Sequence, residues 1–73
     1  MTNGMKEFWH IVPINDGFSY LCVDKEGSHF LNRKEDGIIP ELKLSFKSKQ
    51  EAMLYISKHL DIEKYKPEKY WIK

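Results

Sequence analysis

The sequence is short of several residue types on which whole classes of protein depend. Its 73 residues contain a single cysteine, Cys22, so no disulfide can form within the chain. A lone thiol predicts a reducing compartment, and we expect a cytoplasmic protein. The four glycines fall at turn signals or near the N-terminus rather than in a phosphate-binding loop. No apolar run approaches the roughly 20 residues that cross a bilayer, which predicts that the protein has no membrane partner.

An excess of charge of one sign is also missing. The formal net charge is +1, which by itself predicts no polyanionic partner. The charge is unevenly distributed, because residues 1–41 carry four basic and seven acidic side chains, whereas residues 42–73 carry eight lysines and four acids. The lysine-rich half is typical of a solvated helix and tail, and a weak phosphate-facing surface is the alternative.

The strongest structural signal lies between Leu42 and Leu60. Residues 42–46 alternate between apolar and polar side chains, as a half-buried strand does. Ser48 and Glu51 have the spacing of a capping box, in which each residue's side chain accepts from the backbone N–H of the other. A helix of residues 48–60 should follow, with its outer face at Leu54. The inner face is expected to carry Ala52, Met53, Ile56, His59 and Leu60, with Tyr55 at its margin.

Three turn signals divide the preceding residues into short strands. Asn15-Asp16-Gly17 is typical of a type I′ hairpin turn, Asp24-Lys25-Glu26-Gly27 of a second turn, and Gly37 of a third before Ile38-Ile39-Pro40. The predicted fold class is therefore α+β, a small antiparallel β-meander of three to four strands packed on one C-terminal α-helix, with a docked aromatic tail. We expect a single domain, 1–73, with a flexible N-terminus (1–6), the β-meander (7–47), the helix (48–60) and the tail (61–73).

The turn lengths also predict which side chains share a face of the meander. A two-residue loop would place Ile11 opposite Cys22, and a four-residue loop would place Val23 opposite Ser28. One face is then mostly aliphatic and suits the helix, with Phe8, His10, Val12, Ile14, Leu21, Val23 and Phe30. The other is mostly aromatic, with Trp9, Ile11, Pro13, Phe18, Tyr20, Cys22, His29 and Leu31. Because one short helix cannot cover both faces, the tail or a partner should cover the aromatic one. The predicted binding residues are Trp9, Phe18, Tyr20, Tyr70 and Trp71.

The sequence offers weak candidates for catalysis and metal binding. Cys22 and His29 are a possible nucleophile and base on neighbouring strands, but no third orienting group accompanies them. His10, Cys22, His29 and His59 are possible metal ligands, but no close ligand pair of the zinc type is present. We therefore expect no catalytic residues, no metal, no cofactor and no enzyme activity. A Cys/His enzyme or metal protein remains the least favoured alternative.

The function predicted from the sequence is a small non-enzymatic protein–protein interaction module whose partner is another protein. The main alternative is a single-stranded nucleic-acid-binding protein, because aromatic side chains near Arg33 and Lys34 could stack bases. Acidic neighbours such as Asp24 and Glu26 would repel phosphate. The Phe46-x-Ser48-x-x-x-Ala52 pattern at the start of the helix resembles many phage and prophage reading frames, which would imply an accessory factor that binds a host protein. The partner's identity and the oligomeric state are left open.

Overall fold

Four strands and one α-helix build the part of the chain that the computed structural model describes, residues 6–36 and 42–72. The order is β1 (Lys6–Pro13), β2 (Ser19–Val23), β3 (His29–Arg33), a 3-10 turn (Lys34–Asp36), α1 (Lys49–His59) and β4 (Tyr65–Ile72). The fold class is α+β, as predicted. The predicted flexible N-terminus, apart from Lys6, and the segment Gly37-Ile38-Ile39-Pro40 lie outside the described residues.

The strands form two antiparallel ribbons rather than one continuous meander. β1 pairs with β4, from Lys6 opposite Ile72 to Pro13 opposite Tyr65. β2 pairs with β3, from Ser19 opposite Arg33 to Val23 opposite His29. The predicted aromatic tail is therefore a strand in its own right. Pro67 is tolerated in β4 because this strand pairs only with β1 in the described ranges, and an edge position does not need an N–H from every residue.

Residues 42–46, here called the joining segment, connect the two ribbons. On the β2 side, Val23 N donates to Leu42 O at 2.8 Å and Leu44 N donates to Leu21 O at 3.3 Å. On the β1 side, Phe46 and Trp9 exchange two backbone hydrogen bonds of 2.8 Å. The predicted fourth strand is thus present as two short bridges, one to each ribbon.

The predicted hairpin at Asn15-Asp16-Gly17 is not formed. A type I′ turn needs positive φ at both central residues, and Gly27 is the position with positive φ in the described part of the chain. The Asp16 carboxylate instead accepts from Phe18 N at 2.9 Å and from Ser19 Oγ at 3.1 Å, which shapes a wider loop. β1 then pairs with β4, so Ile11 lies opposite Pro67 rather than Cys22.

The second predicted turn is present, but its register differs from the prediction by one residue. Gly27 N donates to Asp24 O at 3.0 Å, and Asp24 N donates to Ser28 O at 2.9 Å. Three residues are left in the loop, with Gly27 in the left-handed region at φ 88°. Val23 therefore faces His29 instead of Ser28, and this shift sends the side chains of Cys22 and His29 to opposite faces of the ribbon.

The helix begins and ends within one residue of its predicted bounds. Ser48 is the N-cap, in extended conformation, and its hydroxyl accepts from Glu51 N at 3.2 Å. The reciprocal half of the capping box differs from the prediction, because the Glu51 carboxylate accepts from Lys47 N at 3.4 Å. Ala52 and Ile56 are buried and Leu54 is exposed, as predicted, whereas Met53 is exposed.

Apolar side chains pack on both faces of β1. The cluster beneath the helix contains Ile11, Leu21, Ala52 and Ile56, and it is flanked by Trp9, Leu44, Phe46, Tyr55, Leu60 and Tyr65. The cluster on the opposite face contains Val12, Tyr20 and Cys22, with Phe30 and Leu42 beside it. The predicted assignment of faces is therefore wrong for β1 and β3: Trp9 lies on the helix side, and Phe30 lies on the opposite side. Tyr20 lies opposite the helix, as predicted. The hydrogen bonds that the joining segment makes to β1 and β2, rather than a tight turn between these strands, determine which of their side chains lie on the same face.

Candidate functional site

A groove of about 410 Å³ opens on the face of the protein opposite the helix, where the two ribbons meet. β1 and β2 supply its buried floor, the joining segment supplies a lysine, and β4 supplies one wall. The lining residues are His10, Tyr20, Lys34, Lys43, Glu68 and Tyr70, with Lys69 and Trp71 at the border.

The floor of the groove is a buried imidazole that stacks with two tyrosine rings. His10 is 3% exposed. Its ring lies 5.8 Å from the Tyr20 ring and 4.5 Å from the Tyr70 ring, both nearly parallel to it. Burial lowers the pKa of His10, and the hydrogen bond to Glu68 opposes this effect without overcoming it. The ring is therefore neutral at pH 7 and donates through Nε2, since the Glu68 carboxylate can only accept. Nδ1 is buried and has no hydrogen-bond partner among the described residues.

Glu68 connects the floor to the wall of the groove. Its Oε1 accepts from His10 Nε2 at 2.6 Å and from Lys34 Nζ at 2.7 Å. Burial by itself raises the pKa of Glu68, but the hydrogen bonds from Lys34 and His10 outweigh it and hold this pKa below its ordinary value. The carboxylate is thus ionised at neutral pH, and Lys34 already neutralises its charge.

Lys43 has a different environment from the other lysines of the groove. Its Nζ lies 3.7 Å from the centroid of the Tyr70 ring and 4.3 Å from that of the Tyr20 ring. The faces of both rings attract a cation. No carboxylate of the described residues lies within ion-pair distance of this ammonium. Burial lowers the pKa of Lys43 to about 8, with Cys22 and Glu68 opposing the shift and Lys34 adding to it.

The border of the groove is more exposed. Side chains alternate along a strand, so Lys69 and Trp71 point away from Glu68 and Tyr70. Lys69 Nζ accordingly lies 5.5 Å from the Trp9 ring centroid and 5.9 Å from that of Trp71. Trp71 is 55% exposed at this edge.

Three of the five predicted binding residues, Tyr20, Tyr70 and Trp71, line or border the groove. Phe18 is 76% exposed, and its carbonyl accepts from Lys34 N at 2.8 Å, so it lies next to the groove without lining it. Trp9 packs on the helix side instead.

Sequence reasoning did not single out Lys43 or Glu68. Side chains of the joining segment alternate between the two faces of the sheet, so Lys43 and Leu44 lie on opposite faces. This alternation would have identified Lys43 as a binding residue only if the sequence had also shown that the second apolar face lies on its side.

The Cys22–His29 pair is not assembled. Cys22 is buried in the cluster opposite the helix, and burial raises the pKa of its thiol. His29 Nε2 lies 2.7 Å from Tyr55 Oη on the other side of the sheet. Within residues 6–36 and 42–72, no group of three His, Cys, Asp or Glu side chains is placed to hold a metal ion.

Comparisons with known proteins do not assign a family. No helix of the described ranges has the length and apolarity needed to cross a membrane. No protein-family model, curated protein or solved structure matches the chain. The function is therefore inferred from the groove itself.

Proposed function

We propose that this protein is a small non-enzymatic protein-binding module and that the groove between the ribbons receives part of another protein. The observation that carries the proposal is the meeting of the partly buried Tyr70 and the ammonium of Lys43 in one concave surface, with the exposed Trp71 at its border. Aromatic side chains dominate binding energy at protein interfaces because they bury much area at small entropic cost. Phe18, exposed beside Lys34, extends the same surface.

The charges of the groove favour a protein over single-stranded nucleic acid. Two of its three lysines already have acids nearby, Lys34 with Glu68 at 2.7 Å and Lys69 with Glu7 at 3.7 Å. Binding of single strands relies on several free cations along the backbone and on exposed ring faces for the bases. Tyr20 is 1% exposed and offers no such face. In the part of the chain that the structure describes, the groove has one ammonium with no acid nearby, which suits a single acidic side chain better than a row of phosphates.

We also propose a cytoplasmic location and a phage or prophage origin for this protein. Cys22 is a free, buried thiol, which suits the reducing cytoplasm. The sequence has one alanine and many lysines, isoleucines, tyrosines and phenylalanines, whose codons are AT-rich. This composition and the pattern at the helix start support a phage or prophage accessory protein whose partner is a host protein.

The test compares a variant in the groove with a variant on the helix. Tyr70 lines the groove, whereas Leu54 is exposed on the outer face of α1. Affinity capture from a lysate of the source cell should retain a protein with the wild type and with Leu54→Ser but lose it with Tyr70→Ala. The retained protein should then bind as a purified pair and compete with peptides that fill the groove.

Two results contradict the proposal. One is a partner that is lost with Leu54→Ser and kept with Tyr70→Ala, because its binding site would then lie on the helix. The other is capture that disappears on nuclease treatment and falls steeply with added salt, which would indicate nucleic acid.

A further inference from the structure

Lys43 is the one lysine bordering the groove that has no acid beside it within the described ranges. Its backbone is fixed by the bridge to Cys22. From there its partly buried side chain reaches the faces of Tyr20 and Tyr70. The acid among the described lining residues, Glu68, already accepts from His10 and Lys34. As far as residues 6–36 and 42–72 are concerned, the groove therefore contains a positive charge that is positioned but not neutralised.

We infer that Lys43 is the anchor for a carboxylate side chain of the partner, an aspartate or glutamate followed by an aromatic residue that packs at Tyr70. This inference rests on the proposed function. A carboxylate that reaches Lys43 would gain a charge-assisted hydrogen bond in a partly desolvated site, where such bonds are strongest. The adjacent aromatic residue would cover the apolar surface of the β4 edge.

The charged groups around Lys43 favour the binding of a single monovalent anion. Lys34 repels the Lys43 ammonium, while Glu68 and Cys22 favour its charged form. The net effect of burial leaves the pKa of Lys43 at about 8, so the ammonium persists at neutral pH but is easily lost at alkaline pH. Binding of a carboxylate should therefore weaken as the pH rises above about 8.

The experiment is a titration of the isotope-labelled full-length protein, followed by two-dimensional amide NMR, with blocked tetrapeptides at millimolar concentrations. The probe is acetyl-Gly-Asp-Phe-Gly-amide, and matched peptides carry Asn for Asp or Ala for Phe. The Asp-Phe peptide should shift the amides of Lys43, Tyr70 and Trp71. The Asn peptide should bind about tenfold more weakly or worse, because it lacks the charge that Lys43 recognises.

Variants assign the effect to Lys43. Lys43→Met should remove the preference for Asp over Asn, whereas Lys43→Arg should retain it. Lys58→Met is the control, because Lys58 is an exposed lysine on α1 and its removal leaves the groove intact. The amide spectrum of each variant shows directly whether it is folded, and the comparison of the Asp and Asn peptides on the wild type tests the inference even if Lys43→Met unfolds.

Equal binding of the Asp and Asn peptides, or no shift in the groove with any peptide, overturns the inference. Tighter binding of oligothymidylate than of the Asp-Phe peptide, with a steep salt dependence, also overturns it. The two proposals fail separately. A partner that requires Tyr70 but ignores Lys43 removes only the carboxylate anchor, whereas a partner that ignores Tyr70 removes the groove as the binding site.

Discussion

Replacement of Lys43 with methionine should make the protein more stable at neutral pH. The pKa of Lys43 is about 8 in the folded protein, compared with the ordinary lysine value of 10.5. Between these two values the unfolded chain holds a proton that the folded chain lacks, so the free energy of unfolding rises with pH over this interval. Below pH 8 the ammonium is charged in both states, and the folded state carries the cost of its burial.

The pKa difference sets the size of the effect. A difference of about 2.5 corresponds to at most about 3.4 kcal/mol. Lys43 is only partly buried, so solvent screening reduces this ceiling, and we expect about 1–2 kcal/mol. Methionine keeps an unbranched apolar side chain against Tyr20 and Tyr70 and removes the charge. Lys43→Met should therefore exceed the wild type by about this amount at pH 7, and the gap should narrow toward pH 10.5.

Urea unfolding followed by circular dichroism at pH 7 and pH 10, under reducing conditions, measures the difference. Burial raises the pKa values of Cys22 and Tyr55, so both groups lower stability at alkaline pH in every variant, and the comparison uses differences between variants. Lys58→Met serves as the exposed control and should match the wild type. A Lys43→Met protein that is less stable by the same amount at both pH values would refute the reasoning, because the tyrosine faces would then hold the ammonium better than water does.

Three further predictions concern the fold. Ile56→Ala should lower the free energy of unfolding by about 2–5 kcal/mol because Ile56 is buried beneath the helix. Leu54 is exposed, so Leu54→Ser should leave the free energy of unfolding nearly unchanged. Equal losses of stability in urea unfolding would contradict this packing. Ser48→Ala should cost about 1 kcal/mol and lower the melting temperature by about 4–8 °C, and an unchanged melt would mean that the Ser48 hydroxyl does not cap the helix. Truncation after Lys64 removes β4 and should abolish amide dispersion in NMR spectra, and a well-dispersed spectrum would show that β1 folds without it.

The helix could be predicted because its determinants are local. The Ser48 cap lies three residues from Glu51, and the buried Ala52 and Ile56 follow at helical spacing, so no distant contact is needed to place them. The α+β class follows from this helix and from the β-rich residues before it. Only the partner of the Glu51 carboxylate, Lys47 N, differed from the capping-box pattern.

The strand pairing could not be predicted because its determinants are remote. Asn15-Asp16-Gly17 favours a tight hairpin, but β1 gains more by pairing along its whole length with β4, at the other end of the described chain. Tertiary pairing overrides a local turn preference in such a case. The error then exchanged the faces of β1, which placed Trp9 on the wrong side.

Only some residues of the proposed binding surface could be predicted from the sequence. Aromatic content indicated Tyr20, Tyr70 and Trp71, because large rings that one helix cannot cover must be placed elsewhere. Lys43 and Glu68 gave no signal, since a lysine in an alternating segment and a glutamate in a charged tail are ordinary surface residues. Their role depends on the joining segment and β4 meeting across the groove.

The pairing of Lys6 with Ile72 has a mechanical consequence. Both residues lie at the same end of the β1–β4 ribbon, and hydrogen bonds of antiparallel strands run perpendicular to the strands. A force applied between residues 6 and 72 therefore loads these bonds one pair at a time and peels β4 away. A force between residues 6 and 65, which lie at opposite ends of the ribbon, loads all the pairs together in shear. Single-molecule pulling should find the first geometry much weaker, and equal rupture forces would contradict the register. A force applied through tethers at the two ends of the chain would thus first detach β4, which forms one wall of the groove.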